Sequence, residues 1–149
     1  MLVIDLDYFK EVNDRFGHEA GDAALVYVAN LLSRRLRATD LACRLGGEEF
    51  GIILVDTSGQ LAMEVAEDLR HTLEHSPFHN QGRCIELTMS VGVAEYGFDG
   101  VSLRSLLAAA DTRLYRGKAE GRNRVIGSLI KPGSGRKRAR TREDEPAGV

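Results

Sequence analysis

The chain has 149 residues, of which 43% are hydrophobic, and a net charge of −2. That length suits one globular domain with one packed core. No apolar run approaches the roughly 18 residues that a membrane span needs, and the apolar Met1–Ile4 meets Asp5 too soon to be a signal peptide.

The charge is unevenly placed: residues 1–130 hold 14 Lys/Arg and 19 Asp/Glu, for −5, whereas 131–149 hold 6 and 3, for +3. An acidic body argues against a nucleic-acid partner. Cys43 and Cys84 fall in strand-like stretches and fit a reduced cytoplasmic protein better than a disulfide scaffold.

In chain order, Met1–Asp5 reads as a buried strand ending in acid. Ala20–Leu36 places Leu25, Val28, Leu32 and Leu36 at helical spacing. Leu41–Leu45 and Phe50–Leu54 flank Gly46-Gly47-Glu48-Glu49, a hairpin with a four-residue turn. Leu61, Val65, Leu69 and Leu73 predict an amphipathic helix that ends before Pro77. From Ile85 to Val93 apolar residues alternate with Glu86, Thr88, Ser90 and Gly92, which predicts a half-buried strand. Ser102 is placed to cap a helix bearing Leu103, Leu106, Leu107, Ala110 and Leu114, and Val125–Ile126 is a last short strand. The expected fold is therefore mixed α/β (α+β), with a sheet of about five strands flanked by helices. Residues 1–130 are expected to form the domain. Residues 131–149, rich in Pro, Gly, Ser, Arg and acid, are expected to be a disordered charged tail.

Two acid clusters carry the chemistry. Asp5 and Asp7 end the first strand on one side of it, because side chains alternate along an extended chain. Glu48 and Glu49 lie in the glycine turn. If the hairpin pairs beside the first strand, these carboxylates converge, and hard oxygen donors suit Mg²⁺ or Mn²⁺. On composition alone, turn-forming Asp and solvated Glu account for the same residues. Gly46 and Gly47 allow backbone close to a ligand, and ordinary hairpin chemistry also uses them. His71, His75 and His79 recur every four residues, but Pro77 interrupts the helix and they read as surface residues.

Arg44-Leu45-Gly46-Gly47-Glu48-Glu49-Phe50 resembles the signature of the GGDEF diguanylate cyclases in its Glu-Glu form. Further segments resemble the same family in order: Ile4-Asp5-Leu6-Asp7-Tyr8-Phe9-Lys10 through Asp14, Phe16-Gly17-His18 through Asp22, Ser90 through Ala94, and Ala110-Asp111 through Asn123. The resemblance implies a central mixed, mainly antiparallel sheet like that of nucleotidyl cyclases and polymerase palms. It implies condensation of two GTP into cyclic di-GMP and two pyrophosphates by a homodimer.

By the same resemblance, Asp5, Glu48, Glu49 and the carbonyl of Leu6 hold Mg²⁺ or Mn²⁺, and Glu48 takes the ribose 3′-hydroxyl proton. Asn13 and Asp22 read guanine, whose N–H donors match an amide oxygen and a carboxylate; as bare residues they also read as helix caps. Phe9, Lys10, Lys118, Arg122, Gly46 and Gly47 contact the nucleotide. Arg37 and Asp40 resemble the family's RxxD inhibitory site for the product. Its usual second arginine, on the next helix, corresponds to Asp68, and Arg70 is not claimed as a substitute. Gly117 stands where Ala is commoner. The family's usual upstream helix and turn is expected to be missing, so a weak or silent module that binds cyclic di-GMP or GTP is the alternative.

Overall fold

Strand β1 (Leu2–Leu6) is buried along its whole length and is the middle of a five-stranded sheet. The structure is a computed structural model that describes residues 1–128; the expected tail at 131–149 lies outside the described residues. After β1 come α1 (Phe9–Phe16), α2 (His18–Arg35), β2 (Leu41–Gly46), β3 (Glu49–Ile53), α3 (Gly59–His75), β4 (Phe78–Asn80), β5 (Arg83–Ile85), β6 (Met89–Val93), α4 (Leu103–Ala119) and β7 (Val125–Ile126). The sheet order is β2-β3-β1-β6-β7, antiparallel except for the parallel β6–β7 pair. The mixed, mainly antiparallel sheet flanked by helices is thus as expected.

Alternation along β1 sorts its side chains to two faces. Leu2, Ile4 and Leu6 join Leu25, Val28, Leu32, Leu69 and Leu73 in the larger core, beneath α2 and α3. Val3 packs with Ala110 and Leu114 of α4 on the other face. Asp5, two residues on, continues the α4 side. Ser102 caps α4 as expected, and Ser58, not read from the sequence, caps α3. The Ser58 side chain accepts from Leu61 N–H, and Ser102 forms a capping box with Ser105.

Four local expectations are corrected. The stretch from Ile85 to Val93 is not one half-buried strand. It ends β5 at Ile85 and begins β6 at Met89, and β6 is buried throughout. Within β6, Gly92 is covered by α4: a Cβ there would lie 1.9 Å from the Ala110 carbonyl oxygen and 2.7 Å from the Leu114 nitrogen. The β4–β5 hairpin has no counterpart in the sequence reading. The glycine turn is tighter than four residues, since Gly46 pairs with Glu49 after an irregularity at Arg44. In α3 the core face is Ala62, Ala66, Leu69 and Leu73, whereas Leu61 is 50% exposed. Strict four-residue spacing drifts around a helix of 3.6 residues per turn, which carries Leu61 off that face.

Helix α4 runs through Gly117 to Ala119. The missing Cβ of Gly117 lets Ile126 pack close, at 3.3 Å from where that atom would be. Cys43 and Cys84 are free and exposed. His71 and His75 stack on one another at 4.0 Å on the exposed side of α3. Among the described residues no helix is long and apolar enough to cross a membrane.

Candidate active site

The hairpin does pair beside β1. Asp5 stands directly opposite Glu49, and the Leu6 N–H donates to the Glu48 carbonyl at 3.3 Å. Opposed residues of an antiparallel pair project to the same face, so Asp5 and Glu49 share the α4 side of the sheet. Asp5 is buried, Glu48 half-buried and Glu49 exposed. Across the site, Lys118 of α4 sets its Nζ 2.8 Å from Asp5 Oδ2. Burial pushes the Asp5 carboxyl above its ordinary range, the Lys118 hydrogen bond and charge pull it back, and Glu48 and Glu49 push it up again.

Glu48 and Glu49 thus bring their charges near Asp5 at the end of β1, and hard carboxylate oxygens fit a divalent cation in kind. They are not drawn into a finished cage: among the described residues no three acid, His or Cys side chains are gathered to hold an ion. The ammonium of Lys118 holds the positive position beside Asp5 instead.

Asp7 departs from the expected acid cluster. Its Oδ1 accepts from Ser90 Oγ at 2.7 Å, and its Oδ2 accepts from Thr88 Oγ1 and the Asn123 N–H, each at 2.9 Å. A carboxylate committed to three donors has little left for a metal. The polar positions Thr88 and Ser90, read as solvent-facing in the sequence, are its partners.

Asn13 and Asp22 do not cap helices. The caps are Tyr8 for α1 and Gly17 for α2, so both residues lie inside their helices. Asn13 is half-buried and Asp22 exposed. The two helices meet at Gly21, where an added Cβ would lie 1.9 Å from Asn13 Oδ1 and 3.2 Å from Phe9 Cζ. The glycine thus makes room for the amide, a role that a single sequence does not reveal. No side chain caps the start of α1, so the first N–H groups at Phe9 and Lys10 face outward beside Asp5's strand end. Lys10 is exposed on that first turn. Gly46 and Gly47 are both exposed; Gly47 has φ +49°, a left-handed conformation suited to glycine, and its carbonyl accepts from Arg44 Nε at 2.8 Å.

After α4, Arg122 and Asn123 are left-handed in succession, at φ 65° and 45°. The Arg122 guanidinium lies 4.7 Å from the Tyr8 ring centroid. Lys118 and Arg122 are thereby both brought to the junction of β1 and α1.

Arg37 and Asp40 lie apart from these residues, on a cavity of about 320 Å³ shared with Arg35, Glu64 and Asp68. Asp40 is used internally: its oxygens accept from the Arg37 N–H at 3.0 Å and the Val55 N–H at 3.1 Å. Asp68 pairs with Arg35 at 3.0 Å. Arg70 is turned elsewhere, toward Glu67, Glu74 and Asn123.

The family model "Diguanylate cyclase, GGDEF domain" matches residues 1–124. Diguanylate cyclase A of Treponema denticola is 45% identical over 125 residues, covering 84% of this chain and 34% of that protein. The response regulator PleD of Caulobacter vibrioides is 44% identical over 128 residues, covering 85% of this chain and 28% of its own. The chain thus spans about a third of the length of these curated relatives. Among solved structures, the GGDEF domain of YfiN (TpbB) from Pseudomonas aeruginosa superimposes with a TM-score of 0.82 at 34% identity, covering 87% of this chain and 81% of that one. The GGDEF domain of DgcB from Caulobacter crescentus, solved in complex with c-di-GMP, does so with 0.78 at 31% identity, covering 85% and 75%. A match over this much of the chain, joined to a strand pairing that sets Asp5 against the Gly-Gly-Glu-Glu turn, makes the chain a member of the GGDEF family of diguanylate cyclase domains.

Proposed function

We propose that this domain binds GTP with a divalent ion and, as a two-fold pair of copies, condenses two GTP into cyclic di-GMP. The observation that carries the reading is Asp5 opposite Glu49 with Lys118 closing the site from α4. Asn13 and Asp22 accept from the guanine N–H donors, a pairing that adenine, lacking the 2-amino group, does not satisfy. The open N–H groups of Phe9 and Lys10, the Lys10, Lys118 and Arg122 cations, and the Gly46-Gly47 backbone take the triphosphate.

Glu48 accepts the proton of the ribose 3′-hydroxyl. That oxygen forms a bond to the α-phosphorus of the partner's GTP as the bond to the β-phosphate oxygen breaks and pyrophosphate leaves. The reciprocal step closes the ring and releases the second pyrophosphate. Asp5, Glu48, Glu49 and the Leu6 carbonyl are the groups that would hold Mg²⁺ or Mn²⁺, which supplies neutralisation of phosphate charge and a lower hydroxyl pKa. Each domain offers one such site, so the reaction requires two domains face to face.

Arg37, with Asp40 fixing the bend beside it, is proposed to bind the product on its separate cavity. The Asp68–Arg35 pair places a carboxylate on that cavity, which weakens anion binding there.

Incubation of the purified chain with GTP and Mg²⁺ tests the main reading. Cyclic di-GMP and pyrophosphate should form, and Glu48→Ala should lower the rate by about 10³-fold while melting as a folded protein. Undiminished turnover in the variant would remove Glu48 from the mechanism. Tight product binding with no GTP turnover, lost in Arg37→Ala, would favour the silent module.

A further inference from the structure

Asp7 is a 5% exposed residue, lies two residues from Asp5, and takes no part in the proposed chemistry. Its three donors come from different elements. Thr88 precedes β6, Ser90 lies within it, and Asn123 belongs to the loop after α4. The Asp7 N–H also donates to the Thr88 carbonyl at 2.9 Å. Asp7 therefore fastens the exit of β1 to β6 and to the loop that carries Arg122.

That loop has reason to need fastening. Two successive non-glycine residues, Arg122 and Asn123, hold left-handed backbone conformations, which L side chains disfavour unless their surroundings fix them. Asn123 is fixed from both sides. Its N–H is on Asp7, its Oδ1 accepts from Arg70 Nη1 at 2.7 Å, and its Nδ2 donates to Glu74 Oε1 at 2.7 Å. Arg70 is in turn held by Glu67 and Glu74, at 2.6 and 2.7 Å. The Arg122 N–H returns to the Gly117 carbonyl at 2.9 Å, next to Lys118. Moving Asn123 therefore moves Arg122 and the end of α4.

We infer that Asp7 and Asn123 are positioning residues: together they lock the left-handed turn that aims Arg122, and through the end of α4 Lys118, at the triphosphate of the bound nucleotide. The inference rests on the proposed reading of those two cations as phosphate contacts. Asp7 acts on ligand geometry at a distance and touches no substrate atom.

Binding of α,β-methylene-GTP, which cannot release pyrophosphate, and of GMP is to be measured by calorimetry, with thermal melting of each variant alongside. Asp7→Ala strands three donors and should weaken binding of the triphosphate analogue about tenfold while leaving GMP affinity unchanged. Asp7→Asn should restore most of the loss, because its amide oxygen serves the Asn123 N–H while its NH₂ meets the Ser90 hydroxyl. Should Asp7→Ala fail to melt cooperatively, Asn123→Ala gives the same comparison at a half-buried surface position. Asn123→Gly, free to adopt the left-handed backbone, should recover part of that loss.

Equal weakening of GMP and the analogue, or none of either, would overturn the positioning role. Arg122→Ala separates this from the underlying reading. If it leaves analogue binding intact, the phosphate contact itself is wrong. If it weakens the analogue while Asp7→Ala and Asn123→Ala do not, only the positioning inference fails.

Discussion

Lys118 Nζ and Asp5 Oδ2 are 2.8 Å apart, joining the end of the last long helix to the end of the first strand. The ammonium lies where a cation ligated by Asp5 would have to come, so the two compete. Removing it in Lys118→Met should tighten nucleotide-free Mn²⁺ binding by about tenfold, equivalent to about 1.4 kcal/mol, read by electron paramagnetic resonance of free Mn²⁺. Unchanged or weaker Mn²⁺ binding would show that the ion does not use Asp5.

Asp5 itself is held as a buried carboxyl whose ionisation is disfavoured by its surroundings. Its folded pKa lies above the unfolded value, so the fold holds this proton more tightly than the unfolded chain. Its contribution to stability is full below the ordinary carboxylate range and is lost as pH rises through the raised value. Asp5→Asn should therefore raise the melting temperature at pH 7 while abolishing turnover, the usual opposition of stability and function at a charged site. A lower melting temperature would mean that the Lys118 pair outweighs burial.

At Gly21 the steric conflict is with a side chain rather than with backbone. A Cβ there meets Asn13 Oδ1, and the amide must move aside. Alanine is also about 1 kcal/mol better than glycine inside a helix. Gly21→Ala should leave stability equal or slightly higher while raising the KM for GTP at least about tenfold, since one good bidentate base contact is worth about 1–3 kcal/mol. Unchanged KM would separate Asn13 from guanine recognition.

Gly92 presents the opposite case. The atoms in the way of a Cβ are the Ala110 carbonyl and the Leu114 nitrogen, both backbone of α4. Neither can turn aside, and α4 must shift off the sheet. Gly92→Ala should cost about 3 kcal/mol in urea unfolding, with loss of turnover because Lys118 moves with the helix.

Asp99 is clamped by Arg113 at 2.5 and 2.7 Å and accepts the Glu95 N–H at 2.8 Å. The Arg113 hydrogen bonds hold its carboxyl below the ordinary range. Because the folded pKa is depressed, the stabilisation is present above the unfolded carboxylate pKa and fades as pH falls through the folded value. Asp99→Asn should lower stability by about 2 kcal/mol at pH 7, and the gap to the parent should close at acidic pH. A gap that persists at low pH would assign the effect to packing.

The long elements were legible because burial imposes a period. α2, the β2–β3 hairpin and α4 each show in the spacing of Leu, Val and Ile, and Ser102 marks its cap. The β4–β5 hairpin did not show, since Phe78–Asn80 and Arg83–Ile85 are three residues each, too short for any period to establish itself. The alternating run into β6 misled for a related reason. Polar residues usually mark a wet face, but Ser90 is buried against Asp7 and Gly92 against α4.

The sequence by itself determined the family, the long elements and the acids at Asp5, Glu48 and Glu49, because residue type and local spacing are properties of the chain. Tertiary structure decided which partners each acid meets. Asp5 meets Lys118 across a sequence separation of 113 while Asp7, two residues on, is committed to Thr88, Ser90 and Asn123. Neighbours along a chain share a covalent path but not an environment. The donors that settle each carboxylate's charge and geometry arrive from elements that only folding brings together.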